Sequence, residues 1–294
     1  MSRAEIIAFC GLGRMGFNMA KNLLNDGFSV IGTTRVPEKR EEFTRLGGKI
    51  VENAAEAAKL AKIIVLLLPS ETAFHSVLDE LDNACEPGSI VVEMDTFPIS
   101  EKEMLRDRLE PKGVRVIDAP ISGTVPHVIN RSLSVFASGD QEAWEYVRPF
   151  IEPLCSKIFY VGEYGNGMKM KLIANQLVTI NNVATAEAVL FSVKMGMDPK
   201  AMLEAITQSS ALTPLSVRGP IMAARSWEKP TMTHNVYWKD INIIRDALHK
   251  YGSPSPLFNA TIPIYSSAIA CGHGEHDTAS VYTVLENMVE TVSE

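Results

Sequence analysis

Short apolar runs alternate with segments of helical spacing along the first half of the chain, which has 294 residues in all. The apolar runs are IIAFC (6–10), FSVIGTT (28–34), KIIVLLLP (62–69), SIVVEMD (89–95), VRVIDAP (114–120) and SLSVFASG (132–139). Strands that alternate with helices at this spacing predict a parallel, doubly wound sheet of the α/β class. The uninterrupted apolar run IIVLLL fits a sheet that is covered on both faces.

The pattern changes after residue 163, where no further strand is predicted. Residues Gly167 to Met195 can form one helix of ~43 Å, with Gly196 at its end. Its apolar residues cover more than one stripe, so we expect it to be buried on several sides, partly by another subunit near Val183 to Leu190. The sequence predicts a sheet domain over 1–163 and an all-helical substrate and oligomerisation domain over 164–294, with the active site between them.

Composition narrows the classes of partner. The formal net charge is -7 and no block of Lys and Arg stands out, so we expect no nucleic acid. The longest apolar stretches are too short to cross a membrane. Four scattered cysteines and an N-terminus without a signal peptide favour reduced thiols and the cytoplasm. His273 and His276 lack a full ligand set, so we expect no metal site.

The segment GLGRMG (11–16) has the spacing GxGxxG between a predicted strand and a predicted helix. In that context Gly11 permits the tight turn, Gly13 lets the backbone approach a pyrophosphate, and Gly16 lets the helix pack on the strand. The motif therefore predicts a dinucleotide-binding Rossmann domain. The cofactor-binding residues that it predicts are Gly11, Leu12, Gly13, Arg14, Met15 and Gly16.

The end of the second predicted strand bears on which dinucleotide is bound. Thr33, Thr34 and Arg35 stand where a cofactor without a 2′-phosphate usually meets an acidic side chain. Arg35 can meet a phosphate, Thr34 can donate a hydroxyl, and Lys39 or Arg40 lie nearby. We expect NADP(H) to be favoured over NAD(H); the alternative is that Arg35 is a solvated surface charge.

Four segments, taken together, resemble one family. They are FCGLGRMGFNMAKNL (9–23), DAPISG (118–123), GNGMKMKLIANQ (165–176) and KD (239–240). The chain is similar over its whole length to the β-hydroxyacid dehydrogenases, the family of 3-hydroxyisobutyrate dehydrogenase, and looks nearest to the branch that reduces glyoxylate and succinic semialdehyde. The resemblance implies a Rossmann domain, a helical domain and a homodimer or homotetramer.

The resemblance assigns catalytic roles to Lys171 and Asn175, which match the family pattern G-x-G-x-x-x-K-x-x-x-N. Residues four apart lie on one helical face, so the ammonium and the carboxamide can point the same way. A lysine near the carbonyl oxygen can supply the proton on reduction or remove it on oxidation, and desolvation would lower its pKa toward that role. Lys169 lies on a different face, and we expect it to be a solvated charge.

The same resemblance implies contacts for substrate and cofactor. Consecutive N–H groups and a hydroxyl suit a carboxylate, so the implied substrate-binding residues are Ser122, Gly123, Thr124, Asn175 and Trp238. The implied cofactor-binding residues beyond the glycine loop and Thr34–Arg35 are Leu68, Pro69, Thr96, Lys239 and Asp240. We expect Asp118 to cap its neighbours at a strand end.

The chain departs from the family at several positions. Thr124 stands where many members have glycine, and Asp95, Val128, Arg131 and Trp238 are also unusual. We expect these five to surround the substrate pocket and to disfavour 3-hydroxyisobutyrate itself.

The predicted function is NADP-dependent hydride transfer involving a small hydroxyacid or aldehyde acid, such as glyoxylate, succinic semialdehyde or a hydroxylated short acid. The alternatives are an NADPH-dependent imine reductase, against which Lys171 argues, and a non-catalytic cofactor-binding scaffold.

Overall fold

The computed structural model describes residues 5–123, 125–174, 194–198, 201–202, 205, 221, 224–230, 233–235, 237–238, 241, 245, 249, 252 and 254–288. The chain divides into two compact units, residues 1–176 and residues 177–294. The first unit is an α/β domain of the Rossmann type and the second is helical, as the sequence predicts.

The first unit is built on a nine-stranded sheet with the order β3-β2-β1-β4-β5-β6-β8-β7, and β9 pairs with β8. The strands are β1 (Ile6–Cys10), β2 (Ser29–Thr33), β3 (Lys49–Ile50), β4 (Ile63–Leu66), β5 (Ile90–Glu93), β6 (Arg115–Asp118), β7 (Ile121–Ser122), β8 (Leu133–Gly139) and β9 (Cys155–Tyr160). The strands β1 to β6 are parallel to one another. β8 runs antiparallel to both β6 and β7, and β9 is parallel to β8.

Helices cover this sheet. They are α1 (Arg14–Asn25), α2 (Pro37–Arg45), α3 (Ala54–Leu60), α4 (Glu71–Ala84), α5 (Ile99–Leu109), α6 (Val125–Ile129), α7 (Gln141–Ile151) and the described part of α8 (166–174). Three-residue 3₁₀ turns follow α5 and α7 at Glu110–Lys112 and Glu152–Leu154.

Alternate residues of the central strands enter two separate hydrophobic clusters. Phe9 and Val65 lie in one cluster, whereas Ala8 and Ile64 lie in the other, and all four are fully buried. Because successive strand residues point to opposite faces, both faces of the sheet are covered. This confirms the prediction drawn from the uninterrupted apolar run in β4.

In the second unit the described elements are the helices Pro256–Ala268 and Val281–Asn287, a π turn at Ile269–His273 and a 3₁₀ turn at Thr278–Ser280. Most of the predicted long helix lies outside the described residues, which include only its beginning in α8 and its end. Gly196 follows that end with a φ of +78°, the left-handed conformation typical of a residue that terminates a helix. Within the described parts of the chain, no helix is long and apolar enough to span a membrane.

Candidate functional site

The carboxyl ends of the parallel strands form one continuous edge. The register pairs Thr33 with Cys10, Cys10 with Leu66, Leu66 with Glu93, and Glu93 with Asp118. Each predicted cofactor segment of the first unit begins within three residues of one of these strand ends. In an open α/β sheet this edge is where ligands bind.

The glycine loop between β1 and α1 has the geometry of a phosphate cradle. Gly11 has a φ of +109°, and a methyl group there would lie 2.0 Å from the Leu67 carbonyl oxygen. Its N–H donates to Thr33 Oγ1 at 3.2 Å, which ties the loop to the end of β2. No side chain caps α1, and none in its first turn is acidic. The free N–H groups at this helix start therefore fit a pyrophosphate.

The residues after β2 are arranged around that loop. The Lys39 ammonium donates to the Leu12 carbonyl oxygen at 3.1 Å, so it lies beside the glycine loop. Arg35 is exposed, and the Thr34 hydroxyl accepts from the Val36 N–H at 3.2 Å, which leaves its own hydrogen available to donate. Arg40 instead pairs with Glu52. Of the two flanking cations, Lys39 is thus the one directed at the loop.

The ends of β4 and β5 are joined by a carboxylate. Asp95 Oδ2 accepts from the Leu68 N–H at 2.7 Å, and burial raises the pKa of Asp95 to about 7. Pro69 and Thr96, which flank this contact, are exposed. Asp95 therefore fixes the backbone of a predicted cofactor segment.

A buried charge cluster lies behind the β5 and β6 ends. Lys102 is fully buried on α5, pairs with Glu93, lies 3.1 Å from Asp118 Oδ1, and donates to the Asp95 carbonyl oxygen at 2.8 Å. Burial lowers the pKa of Lys102 to about 8, although Asp118 opposes that shift. Sequence reasoning missed this cluster. The available signal was a lysine in line with Leu105 and Leu109 on the buried stripe of α5.

The DAPISG segment carries the predicted carboxylate site. Asp118 is fully buried and its Oδ2 accepts from the Met168 N–H at 2.8 Å, so it caps the start of α8, 50 residues later in the chain, whereas the sequence predicts that it caps its neighbours at the strand end. Ser122 in β7 is half-buried, and Gly123 is exposed with a φ of +142°. Thr124 lies outside the described residues.

The helix α8 separates its two lysines as the helical phase predicts. The Lys171 residue is 9% exposed, and burial lowers the pKa of its ammonium below the usual lysine range. Lys169 is exposed and donates to Asn166 Oδ1 at 3.0 Å. Lys171 is thus the lysine whose surroundings favour proton transfer.

Three further predicted site residues lie outside the described residues: Asn175, Lys239 and Asp240. Trp238 is described in the second unit, where it is half-buried.

The expectation that Val128 and Arg131 surround the substrate pocket is wrong. Val128 is fully buried in the core, and its carbonyl oxygen accepts from Asn22 Nδ2 at 2.8 Å. Arg131 has a φ of +55° and forms a two-pronged pair with Asp26 at 2.6 and 2.8 Å. Both residues therefore contact the carboxyl end of α1, whereas the glycine loop lies at its other end, about 15 Å away at 1.5 Å per residue.

His273 and His276 of the second unit contact each other. His273 Nδ1 lies 2.8 Å from His276 Nδ1, and His273 Nε2 lies 3.3 Å from Thr283 Oγ1. His234 is buried, with Nε2 2.8 Å from Ser280 Oγ. Among the residues that the structure describes, no group of three or more His, Cys, Asp or Glu side chains could hold a metal ion.

Two family models together span nearly the whole chain. Residues 6–162 match the NAD binding domain of 6-phosphogluconate dehydrogenase, and residues 165–285 match the NAD-binding domain of NADP-dependent 3-hydroxyisobutyrate dehydrogenase. The chain belongs to the β-hydroxyacid dehydrogenase family. As a β-hydroxyacid dehydrogenase it is an NAD(P)-dependent enzyme that acts on CH–OH groups.

Named relatives match nearly the full length of this β-hydroxyacid dehydrogenase. L-threonate dehydrogenase of Cupriavidus necator is 27% identical over 282 residues, which cover 95% of each chain. NAD-dependent L-serine dehydrogenase of Pseudomonas aeruginosa is 27% identical over 291 residues, covering 95% of this chain and 97% of its own.

A solved imine reductase from a Pseudomonas species superposes on this β-hydroxyacid dehydrogenase with a TM-score of 0.82, covering 96% of this chain and 99% of its own. At 20% identity that likeness supports the shared fold alone.

Proposed function

We propose that this β-hydroxyacid dehydrogenase transfers a hydride between NADP(H) and a short carboxylic acid that bears a hydroxyl or carbonyl near its carboxylate. The observation that carries the proposal is the burial and position of Lys171. It is a buried lysine on a helix whose first turn is bonded to the carboxyl edge of the sheet through Asp118, the same edge that carries the glycine loop. A desolvated ammonium at that edge supports an acid–base role.

Lys171 would exchange a proton with the substrate oxygen. When bound, the dinucleotide supplies or accepts the hydride, and the reaction leaves charge on that oxygen. A protonated Lys171 donates to the oxygen during reduction, and a neutral Lys171 removes the hydroxyl proton during oxidation. Because burial lowers the lysine pKa, both protonation states become accessible nearer to neutral pH than for a solvated lysine. We assign Asn175, four residues later in the chain, to hold the same oxygen.

The carboxylate of the substrate would lie against Ser122, Gly123 and Thr124. A half-buried hydroxyl followed by the N–H of an exposed glycine provides donors suited to an anion. Threonate and L-serine, the substrates in the names of two relatives, both carry a hydroxyl on the carbon β to a carboxylate. We propose that this chain accepts acids of that kind or their carbonyl counterparts, and we assign Trp238 to substrate binding, as the family resemblance implies.

The methyl group of Thr124 bears on substrate choice. It would crowd a substrate that is branched next to its carboxylate, and its hydroxyl could donate to a second polar group. We therefore propose that hydroxylated or unbranched short acids, including glyoxylate and succinic semialdehyde, are better substrates than 3-hydroxyisobutyrate. Buried sites built to bond a hydroxyl discriminate strongly against analogues that lack it.

We propose that the cofactor is NADP(H) rather than NAD(H). Two cations support this: Arg35 is exposed immediately after β2, and Lys39 lies beside the glycine loop. The sequence places no acidic residue among Thr33, Thr34 and Arg35, where a carboxylate would repel a 2′-phosphate. We assign Leu68, Pro69, Thr96, Lys239 and Asp240 to the rest of the cofactor site.

The test uses a panel of compounds assayed in the direction that each permits. It measures NADPH and NADH consumption with glyoxylate, succinic semialdehyde and a cyclic imine, and NADP⁺ and NAD⁺ reduction with threonate, L-serine and 3-hydroxyisobutyrate. We expect turnover with at least one hydroxyl or aldehyde acid and a preference for NADP(H). Turnover of the imine alone, or NADPH binding without any turnover, would contradict the proposal.

We further propose that the enzyme works in the cytoplasm as a homodimer or homotetramer. The predicted interface, near Val183 to Leu190, lies outside the described residues. Light scattering at micromolar concentration tests this part, because a stable species of the monomer mass, 32.3 kDa, would contradict it.

A further inference from the structure

The helix that carries Lys171 begins without a cap of its own. Lys169 N–H donates to the Gly165 carbonyl oxygen at 3.1 Å, the first i→i−4 bond of α8, so Gly165 is its N-cap residue. Glycine has no side chain with which to accept from the N–H groups of the second and third helical residues, Gly167 and Met168. In most helices a Ser, Thr, Asp or Asn at the N-cap does this.

The sheet supplies the missing acceptors. Gly167 N–H donates to Ser138 Oγ at 2.9 Å, and Met168 N–H donates to Asp118 Oδ2 at 2.8 Å. The Ser138 hydroxyl in turn donates to the same Asp118 oxygen at 3.1 Å. Asp118 and Ser138 face each other in the β6–β8 register and are fully buried. Two side chains, 50 and 29 residues earlier in the chain, thus replace the usual cap.

The helix start lies directly against the strands. A methyl group on Gly167 would come within 2.3 Å of the Phe136 carbonyl oxygen, so only glycine lets the first turn approach this closely. The capping bonds therefore fix the first turn against a rigid surface.

Lys102 contacts the capping residue Asp118 on the side away from α8. Its ammonium lies 3.1 Å from Asp118 Oδ1, the carboxylate oxygen that does not face α8. Without that partner Asp118 would be an uncompensated buried charge beside Glu93, a costly arrangement. The Lys102 carbonyl oxygen also accepts from the Tyr164 hydroxyl at 2.8 Å, just before α8 begins. Thus α5 is tied both to the cap and to the segment that leads into the helix.

We propose that Ser138 and Lys102 are positioning residues for Lys171, acting through the first turn of α8. Lys171 follows Met168 by three residues, less than one helical turn. Each helical residue turns by about 100°, so a slip at the capped turn changes the direction of the ammonium. The inference rests on the proposed catalytic role of Lys171, and it adds two residues that touch neither substrate nor cofactor.

A matched pair of cap deletions tests the inference. Ser138→Ala removes one hydroxyl and no charge. Asp140→Ala is the control, because Asp140 Oδ1 caps α7 by accepting from the Ala143 N–H at 2.6 Å. Asp140 follows Ser138 by two residues, and its cap bonds the start of α7, where Glu142 lies 3.8 Å from Arg115, and not the start of α8. For each variant we would measure melting temperature, the NADPH dissociation constant, and kcat and KM for the best acid of the panel.

We expect Ser138→Ala to lower kcat about 10- to 100-fold, the scale associated with a misplaced catalytic group, while KM and the NADPH dissociation constant stay within about threefold. Asp140→Ala should reduce the melting temperature at least as much yet leave kcat within about twofold of wild type. A Ser138→Ala variant with kcat within twofold of wild type, or with a loss no larger than that of the control, would overturn the inference.

Two further variants complete the test. Lys102→Met should reproduce the kcat loss with unchanged NADPH affinity; a folded variant with the wild-type kcat would remove Lys102 from the inference. If this variant does not fold, because two buried carboxylates lose their partner, Ser138→Ala remains decisive. Lys171→Ala distinguishes a failure of the positioning inference from a failure of the proposed catalytic role. If it is inactive while Ser138→Ala is fully active, only the positioning inference fails, and if it keeps the wild-type rate, the proposed catalytic role fails as well.

Discussion

Replacing Gly13 with alanine should separate cofactor binding from folding. Gly13 is exposed and has a φ of -72°, which alanine adopts readily, and an added methyl would meet no atom of the described chain within 4 Å. The glycine costs conformational entropy on folding, whereas alanine is a poorer N-cap, so these effects offset each other. We expect the free energy of unfolding of Gly13→Ala to stay within about 0.5 kcal/mol of wild type.

The same methyl would stand where a pyrophosphate must approach the N–H groups at the start of α1. Each charge-assisted bond of this kind is worth about 1.5–3 kcal/mol, so losing one should raise the NADPH dissociation constant roughly ten- to a hundredfold. Fluorescence titration with NADPH measures this, and thermal and urea unfolding without cofactor measure stability.

Gly16→Ala is the matched control for this prediction. A methyl at Gly16 would lie 2.2 Å from the Gly11 carbonyl oxygen, so the backbone must shift. We expect a loss of about 1–3 kcal/mol in the free energy of unfolding, typical of overpacking. A Gly13→Ala variant that binds NADPH within twofold of wild type, or that is as destabilised as Gly16→Ala, would refute this account of the loop.

Three other expectations concern charge. Arg35→Asp should weaken the binding of NADPH roughly ten- to a hundredfold and the binding of NADH little, because it replaces a charge-assisted contact to the 2′-phosphate with repulsion. Paired titrations with NADPH and NADH measure both affinities, and a wild-type enzyme that prefers NADH would contradict the expectation. As pH rises through the Lys171 pKa, which burial sets below 10.5, kcat for reduction should fall and kcat for oxidation should rise. If kcat changed in the same sense with pH for reduction and for oxidation, a proton-transferring lysine would be contradicted. Asp95 has a pKa raised from 3.8 to about 7, so the folded state holds its proton longer, and the Asp95 contribution to the free energy of unfolding should fall as pH rises from about 4 to 7. Asp95→Asn should raise the free energy of unfolding at pH 8 and flatten its pH dependence between about 4 and 7, and unfolding curves with an unchanged pH slope would count against this expectation.

The parallel strands could be predicted from the sequence because burial on both faces leaves an uninterrupted apolar run, as in β4. Three strands were missed. β3 and β7 have only two residues each, and β9 (Cys155–Tyr160) has no buried residue, so none of them has an apolar run or a period of two.

The glycine loop and the phase of α8 were also readable from the sequence, because local spacing determines each of them. The hydrogen bonds that fix the start of α8 could not be predicted from the sequence, because they join residues far apart in the chain. Ser138 and Asp118 reach the start of α8 across 29 and 50 residues. Arg131 was misplaced for a similar reason: its left-handed backbone belongs to a turn that directs the guanidinium back to Asp26, 105 residues earlier.

The central claim is that Lys171 performs the proton transfer of an NADP(H)-linked reaction. The most direct measurement compares kcat for Lys171→Ala with that for Lys169→Ala, using the best acid of the panel with NADPH if it is an aldehyde acid and with NADP⁺ if it is a hydroxyacid, after titration has shown that both variants bind NADPH. Lys169 is the matched control, an exposed lysine two residues away on the same helix. We predict a loss on the order of 10²–10⁴-fold in kcat for Lys171→Ala and less than twofold for Lys169→Ala. A Lys171→Ala variant with the wild-type kcat, or a larger loss for Lys169→Ala, would contradict the account.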